Sequence, residues 1–193
     1  TTWSLTGVDA GTVNATNFSN IQNLVGGTAS DSFTLSGGTL SGTIAGGLGI
    51  DTIVGDNVVN SFTVTALNAG TATGVTGGFS DIENLQGNAQ SDSFALNGGT
   101  LSGTIAGGLG TDTLVGDNVA NSFTVTGLNA GTATGIIGCG TDNDILGGTA
   151  QADSFVLNGG TFTGTADGGL GIETMGGDNV ENMVSVTRLN SGI

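Results

Sequence analysis

The thirteen residues "GGTLSGTIAGGLG" at 37–49 return without a change at 98–110, and at 159–171 they read "GGTFTGTADGGLG". No residue in the stretch is an obvious catalytic group. A strict period of this kind marks units that stack on one another, where a change in one disturbs the packing of the next.

The 61-residue period divides further. A pattern of an apolar residue, any residue, Gly, four residues, Asp or Asn, and usually Ser-Phe starts at Leu24, Ile53, Leu85, Leu114, Leu146 and Met175. Its spacings alternate between 29 and 32, which predicts a unit of about 30 residues in two flavours. The aromatic position follows in step as Phe33, Phe62, Phe94, Phe123 and Phe155, with Val184 in the sixth place. Within a unit the apolar period is two: "SFTVT" puts Phe62 and Val64 on one face and Ser61, Thr63 and Thr65 on the other. That is the strand signal. Glycine pairs and "GDN" clusters supply the turns, and glycine at this density defeats helices.

Three short strands and three turns fit thirty residues. The expectation is an all-β, right-handed parallel β-helix of about six coils. It forms one solenoid over 1–193: a partial coil 1–23, repeats 24–84 and 85–145, and a degenerate repeat 146–193. The five Phe would form a single core ladder, coils lying ~4.8 Å apart. A β-sandwich also uses short strands and Gly-rich turns, but does not ask for near-identity every 29 to 32 residues.

Composition narrows the function. The chain has 39 Gly, no Pro, His or Tyr, and a single basic residue, Arg188, against 16 carboxylates. A net charge of −15 argues against nucleic acid and anionic membranes and favours cations. Lack of His removes the commonest general acid or base. No apolar run approaches the ~20 residues of a membrane helix. Cys139 stands alone, so no internal disulfide forms, and its counterpart one period earlier is Gly78.

Two residues before each apolar start stand Gln22, Asp51, Glu83, Asp112, Asp144 and Glu173. Five consecutive coils thus place an acid in one column. Bare charges ~4.8 Å apart repel by about 3.5 kcal/mol at an effective dielectric of 20. Solvent exposure, a bound cation, or hydrogen bonds from turn N–H groups would each relieve this. By contrast Asp31, Asn60, Asp92, Asn121 and Asp153 carry a charge only in alternate coils.

"GGLGIDTIV" at 46–54 and "GGLGTDTLV" at 107–115 resemble the calcium-binding nonapeptide of RTX proteins, and "GGLGIETMG" at 168–176 follows with Glu173. The whole chain is similar to the repetitive arrays of giant bacterial surface adhesins. The resemblance implies a secreted, extracellular or cell-surface, non-enzymatic protein that uses Ca²⁺. Its metal ligands would be Asp51, Asp112 and Glu173, and the column adds Glu83 and Asp144. Gly46, Gly47, Gly49, Gly107, Gly108 and Gly110 would shape the turns. RTX nonapeptides run in tandem; here a good one occurs once per 61 residues.

Neither end carries a cap. This predicts either an excerpt of a longer array, with neighbouring repeats as partners, or head-to-tail self-association through open solenoid ends. The leading function is a structural stalk, matrix fibre or filament. The alternative is a surface-binding solenoid, adhesive, carbohydrate- or ice-binding. It would use hydroxyl ladders at Ser61, Thr63, Thr65 and Ser122, Thr124, Thr126, with Trp3 as a sugar platform. An enzyme would need paired acids such as Asp81 with Glu83 or Asp142 with Asp144. The irregular stretch 135–148, where Gly140 replaces Phe79 and Asn143 replaces Ile82, is the place to look for a special role.

Overall fold

A computed structural model describes residues 1–136 and 140–178. Cys139, Val184 and Arg188 lie outside the described residues. The described chain is all β, with two long sheets of twelve and nine strands, mostly parallel. One cluster of buried apolar side chains is shared by both sheets.

The chain passes from one sheet to the other at nearly every turn. Leu24–Gly27 lies in the nine-stranded sheet, Ser32–Leu35 in the twelve-stranded one, Ile44–Gly47 in the first again and Thr52–Val54 in the second. Parallel neighbours do not keep a constant thirty-residue offset. Phe33 lies beside Ile53, and Ile53 beside Leu85, so the steps are 20 and 32 residues.

The longer step contains an element that the period-two reading does not distinguish. Ser61–Ala66, Ala69–Ala72 and Val75–Ser80 form an antiparallel three-stranded meander inside the nine-stranded sheet. Its first turn is set by Asn68, whose φ of 53° lies in the left-handed region that Asn tolerates better than most residues. Ser122–Gly127 and Ala130–Ala133 repeat the first hairpin in the twelve-stranded sheet, with Asn129 at φ 46°.

The two sheets thus exchange roles from one repeat to the next. Leu24 belongs to the nine-stranded sheet, Leu85 to the twelve-stranded and Leu146 to the nine-stranded. A 61-residue repeat lays down an odd number of strands, so its successor starts on the opposite face. This divides the single Phe ladder expected from the sequence. Phe33, Phe62, Phe94, Phe123 and Phe155 are all buried, but they stack as pairs on alternating sheets. Trp3 lies on Phe33 (centroids 5.7 Å apart), Phe62 on Phe94 (5.1 Å) and Phe123 on Phe155 (5.0 Å).

Candidate functional site: the corner carboxylates

At each corner between the sheets the backbone leaves the strand ladder, and its N–H groups need other acceptors. Side chains from the adjacent rung supply them. Asp31 N–H donates to Asp51 Oδ1 and Asp51 N–H to Glu83 Oε2, both at 2.7 Å. In the next repeat Asp92 N–H donates to Asp112 Oδ1 (2.8 Å) and Asp112 N–H to Asp144 Oδ2 (3.1 Å). Asn60 N–H donates to Asp92 Oδ1 and Asn121 N–H to Asp153 Oδ1, each at 2.7 Å. Asp153 N–H donates to Glu173.

The two columns read from the sequence are therefore interleaved. The five acids do not form one continuous file, because successive repeats face opposite ways. Asp51 neighbours Glu83, Asp112 neighbours Asp144, and Glu173 neighbours Asp153. Glu83 and Asp144 are half-buried and also accept the side-chain amides of Asn68 (2.8 Å) and Asn129 (3.1 Å).

The glycine of each corner is there for the carboxylate. A Cβ on Gly46 would lie 2.5 Å from Asp51 Oδ2 and 1.9 Å from the Asp81 carbonyl; on Gly107, 2.5 Å from Asp112 Oδ2 and 2.2 Å from the Asp142 carbonyl. Gly26 with Asp31, Gly87 with Asp92 and Gly148 with Asp153 repeat this packing. The motif is Gly, four residues, Asp or Asn. Gly47, Gly108, Gly49 and Gly110 have φ of 97°, 100°, 134° and 132°, which turn the chain between them. Where the turn is instead "GDNVVN" or "GDNVAN", carbonyls face inward and an amide takes the carboxylate's place. Asn60 Nδ2 donates to the carbonyls of Asp56 (2.8 Å) and Val58 (2.7 Å), and Asn121 does the same with Asp117 and Val119.

Do these acids fit calcium? Asp51 and Asp112 are fully buried, and Oδ2 of Asp51, Asp92 and Asp112 has no hydrogen-bond partner. An orphan oxygen of that kind invites a cation. Ca²⁺ takes six to eight oxygens, and among the described residues no group of three or more Asp, Glu, His or Cys converges. Each orphan oxygen lies in its own corner against a glycine. No three of Asp51, Glu83, Asp112, Asp144 and Glu173 converge among the described residues, and each accepts a backbone N–H.

Protonation also relieves an orphan oxygen. Burial pushes the Asp51 carboxyl above its ordinary range, the Asp31 N–H opposes this, and the charges of Glu83 and Asp31 add to the rise. Burial does the same to Asp112, opposed by the Asp92 N–H and assisted by the charges of Asp92, Asp144 and Asp142. The folded chain then holds these protons more tightly than the unfolded chain. Stability contributed by them rises as pH falls through the raised values and stops rising at about 3.9, where an unfolded Asp titrates. Asp9 works in the opposite sense. The backbone N–H and then the hydroxyl of Ser41 hold its carboxyl below the usual range, so its contribution exists above about pH 3.9 and fades as pH falls through its folded value. Thermal melting should therefore be highest in mild acid, above about pH 4. Asp112→Asn should melt at or above the native chain at pH 7 and gain less on acidification. A native chain that loses stability steadily from neutrality down to pH 4 contradicts this account.

The other candidates are placed as follows. Trp3 is stacked on Phe33 and meets Phe18 edge-on at 6.2 Å, so its ring is not an open sugar platform. Ser61 lies beside Ser93 and then Thr113, a run of three hydroxyls that ends at Ile145, whereas the row of Thr63 is interrupted at once by Ala95 and Val115. Ser122 and Thr124 lie on the other sheet and do not extend it. Asp81 and Asp142 are exposed turn residues with φ of 54° and 55°, each separated from its neighbouring acid by a buried residue, Ile82 or Asn143. Gly140 leaves part of the volume of Phe79 unfilled. A recess of about 20 Å³ remains, lined by Leu114, Phe123, Gly140, Asn143, Leu146 and Phe162 among others. That is room for a water, and Asn143 Oδ1, buried without a partner, is a site for one.

Comparison with protein-family models, with curated proteins and with solved structures gives no match.

Proposed function

We propose that the chain is an extracellular structural repeat module, a segment of a stalk, matrix fibre or filament of a bacterial surface protein. Its partners are neighbouring repeats of a longer chain or other copies of itself. The winding is right-handed, as crossovers between parallel strands are in nearly all cases. The observation that carries the reading is the use made of the carboxylates. The column acids recur with the fold, and Asp51, Glu83, Asp112, Asp144 and Glu173 each accept a backbone N–H of the adjacent rung. Chemistry that repeats at every corner is architecture. The surface-binding alternative has only two short hydroxyl rows of three residues each, on different sheets, and a Trp3 ring already stacked on Phe33.

Negative-stain electron microscopy tests the reading. Nine to twelve strands at ~4.8 Å make a rod of roughly 45–60 Å per chain. Rods of that length or its multiples are expected, unchanged by a chelator. Globular particles, or rods that collapse on chelation and return with millimolar Ca²⁺, would overturn the account of the acids.

A further inference from the structure

An asparagine followed by glycine can fold its side-chain carbonyl carbon onto the backbone nitrogen of the next residue, because glycine brings no Cβ and restricts the peptide least. Among the chain's asparagines only Asn97 and Asn158 precede glycine. They hold the same place in successive repeats, inside the same five residues, "LNGGT" at 96–100 and at 157–161.

The two corners are built alike. Each asparagine is exposed, and its own N–H donates at 2.8 Å to a hairpin strand, Asn97 to the Val64 carbonyl and Asn158 to the Val125 carbonyl. Gly98 and Gly159 turn the chain at φ of 78° and 76°, with open space where a side chain would be. The glycine after each is wedged against the same hairpin strand. A Cβ on Gly99 would lie 2.6 Å from the Val64 carbonyl carbon, and one on Gly160 2.6 Å from the Gly127 nitrogen. One contact differs. Gly159 N–H donates to Asp178 Oδ2 at 2.9 Å, whereas Gly98 N–H has no hydrogen-bond partner among the described residues.

We propose that Asn97–Gly98 is a site of spontaneous deamidation and main-chain isomerisation, and that Asp178 protects Asn158–Gly159 from the same reaction. Hydroxide takes the Gly98 N–H proton. The nitrogen then attacks Asn97 Cγ. A C–N bond forms and closes a succinimide ring, and the Cγ–Nδ2 bond breaks. The leaving nitrogen takes a proton from water and departs as ammonia, which restores the hydroxide. A second water opens the ring at either carbonyl and leaves aspartate or isoaspartate. At Gly159 the carboxylate of Asp178 holds the proton that must leave and fixes the peptide that must rotate. Gly98 has neither restraint. Each event adds one negative charge to a chain already at −15. The isoaspartyl form also lengthens the main chain by one carbon. Both sides of the corner are pinned to the hairpin, so the extra length bulges into the open space beside Gly98.

Peptide mapping of the folded native chain tests this, because identical flanking residues give the two sites the same intrinsic reactivity. The chain is incubated in mildly alkaline buffer and digested with pepsin in acid. Peptides containing residues 97 and 158 are scored for aspartate and isoaspartate by chromatography and mass spectrometry. Asn97 should convert at least about tenfold faster than Asn158, the effect of one hydrogen bond to a charged group. In enough urea to unfold the chain the two rates should become equal. Asp178→Ala, checked by circular dichroism to be folded, should raise the Asn158 rate toward that of Asn97. Asn97→Ser, which places there the residue that the first repeat has as Ser36, should abolish conversion at that corner. An Asn97 amide that persists in the folded chain while it is lost in urea overturns the site. Equal rates in the folded native chain overturn the protection by Asp178.

Discussion

Gly46→Ala and Gly107→Ala will each destabilise the chain by about 3 kcal/mol or more, against the 5–15 kcal/mol that holds a typical domain. The new methyl has nowhere to go. At Gly46 it would sit 1.9 Å from a backbone carbonyl and 2.5 Å from a carboxylate oxygen that is itself buried and held by the Asp31 N–H. Neither neighbour is the free end of a flexible side chain. To admit the methyl, a corner must open. That breaks the hydrogen bond from one rung to the next and exposes the pairing of Thr52–Val54 with its neighbours. Melting by circular dichroism should drop by at least about 6 °C for a chain of this size. Gly7→Ala is the control: its Cβ would meet only the Ala10 Cβ at 3.6 Å, an ordinary contact. Equal melting of all three variants would mean that the corners are looser than the structure has them.

Phe94→Ala should cost about 3–5 kcal/mol, the range for emptying a buried aromatic site. Phe94 is 0% exposed and lies against Phe62 with the rings only 4° from parallel. The more informative measurement is the double-mutant cycle. Phe62→Ala with Phe94→Ala should show a coupling of about 0.5–1.5 kcal/mol. Phe94→Ala with Phe123→Ala should be additive within about 0.5 kcal/mol, since those rings belong to different stacked pairs on different sheets. Equal coupling in the two cycles would restore the single ladder and with it a constant coil.

Much of this was legible in the sequence. The all-β class, the strand positions of the Phe residues and the Gly-to-Asp spacing all follow from period-two alternation and glycine content. The coil was not, because one copy of the corner motif is disguised. Ile44, Gly46 and Asp51 stand in the same relation as Leu24, Gly26 and Asp31. Inside "GGLGID" that relation looks like a metal-binding nonapeptide. Counted as a third corner per repeat, it yields the steps of 20 and 32. The hairpin is hidden for a different reason. Strand alternation does not say whether a strand's neighbour runs parallel or antiparallel, and the only local sign was Asn at the tight turn of "LNAG". Which sheet a strand joins leaves no mark in the alternation; it depends on counting crossings. The orphan oxygens of Asp51 and Asp112 were out of reach of sequence, since they depend on how deeply a turn packs against the glycine beside it.

The exchange of sheets between repeats has a mechanical consequence. Any repeat whose two flanks differ tends to bend the rod toward one side. When the next repeat is laid down half a revolution away, its bend points the opposite way, and the two cancel over each pair of repeats. An array built from this unit would run straight without a sequence tuned for straightness, and would resist buckling equally on both flanks. Lengthening it by duplication would leave its axis where it was.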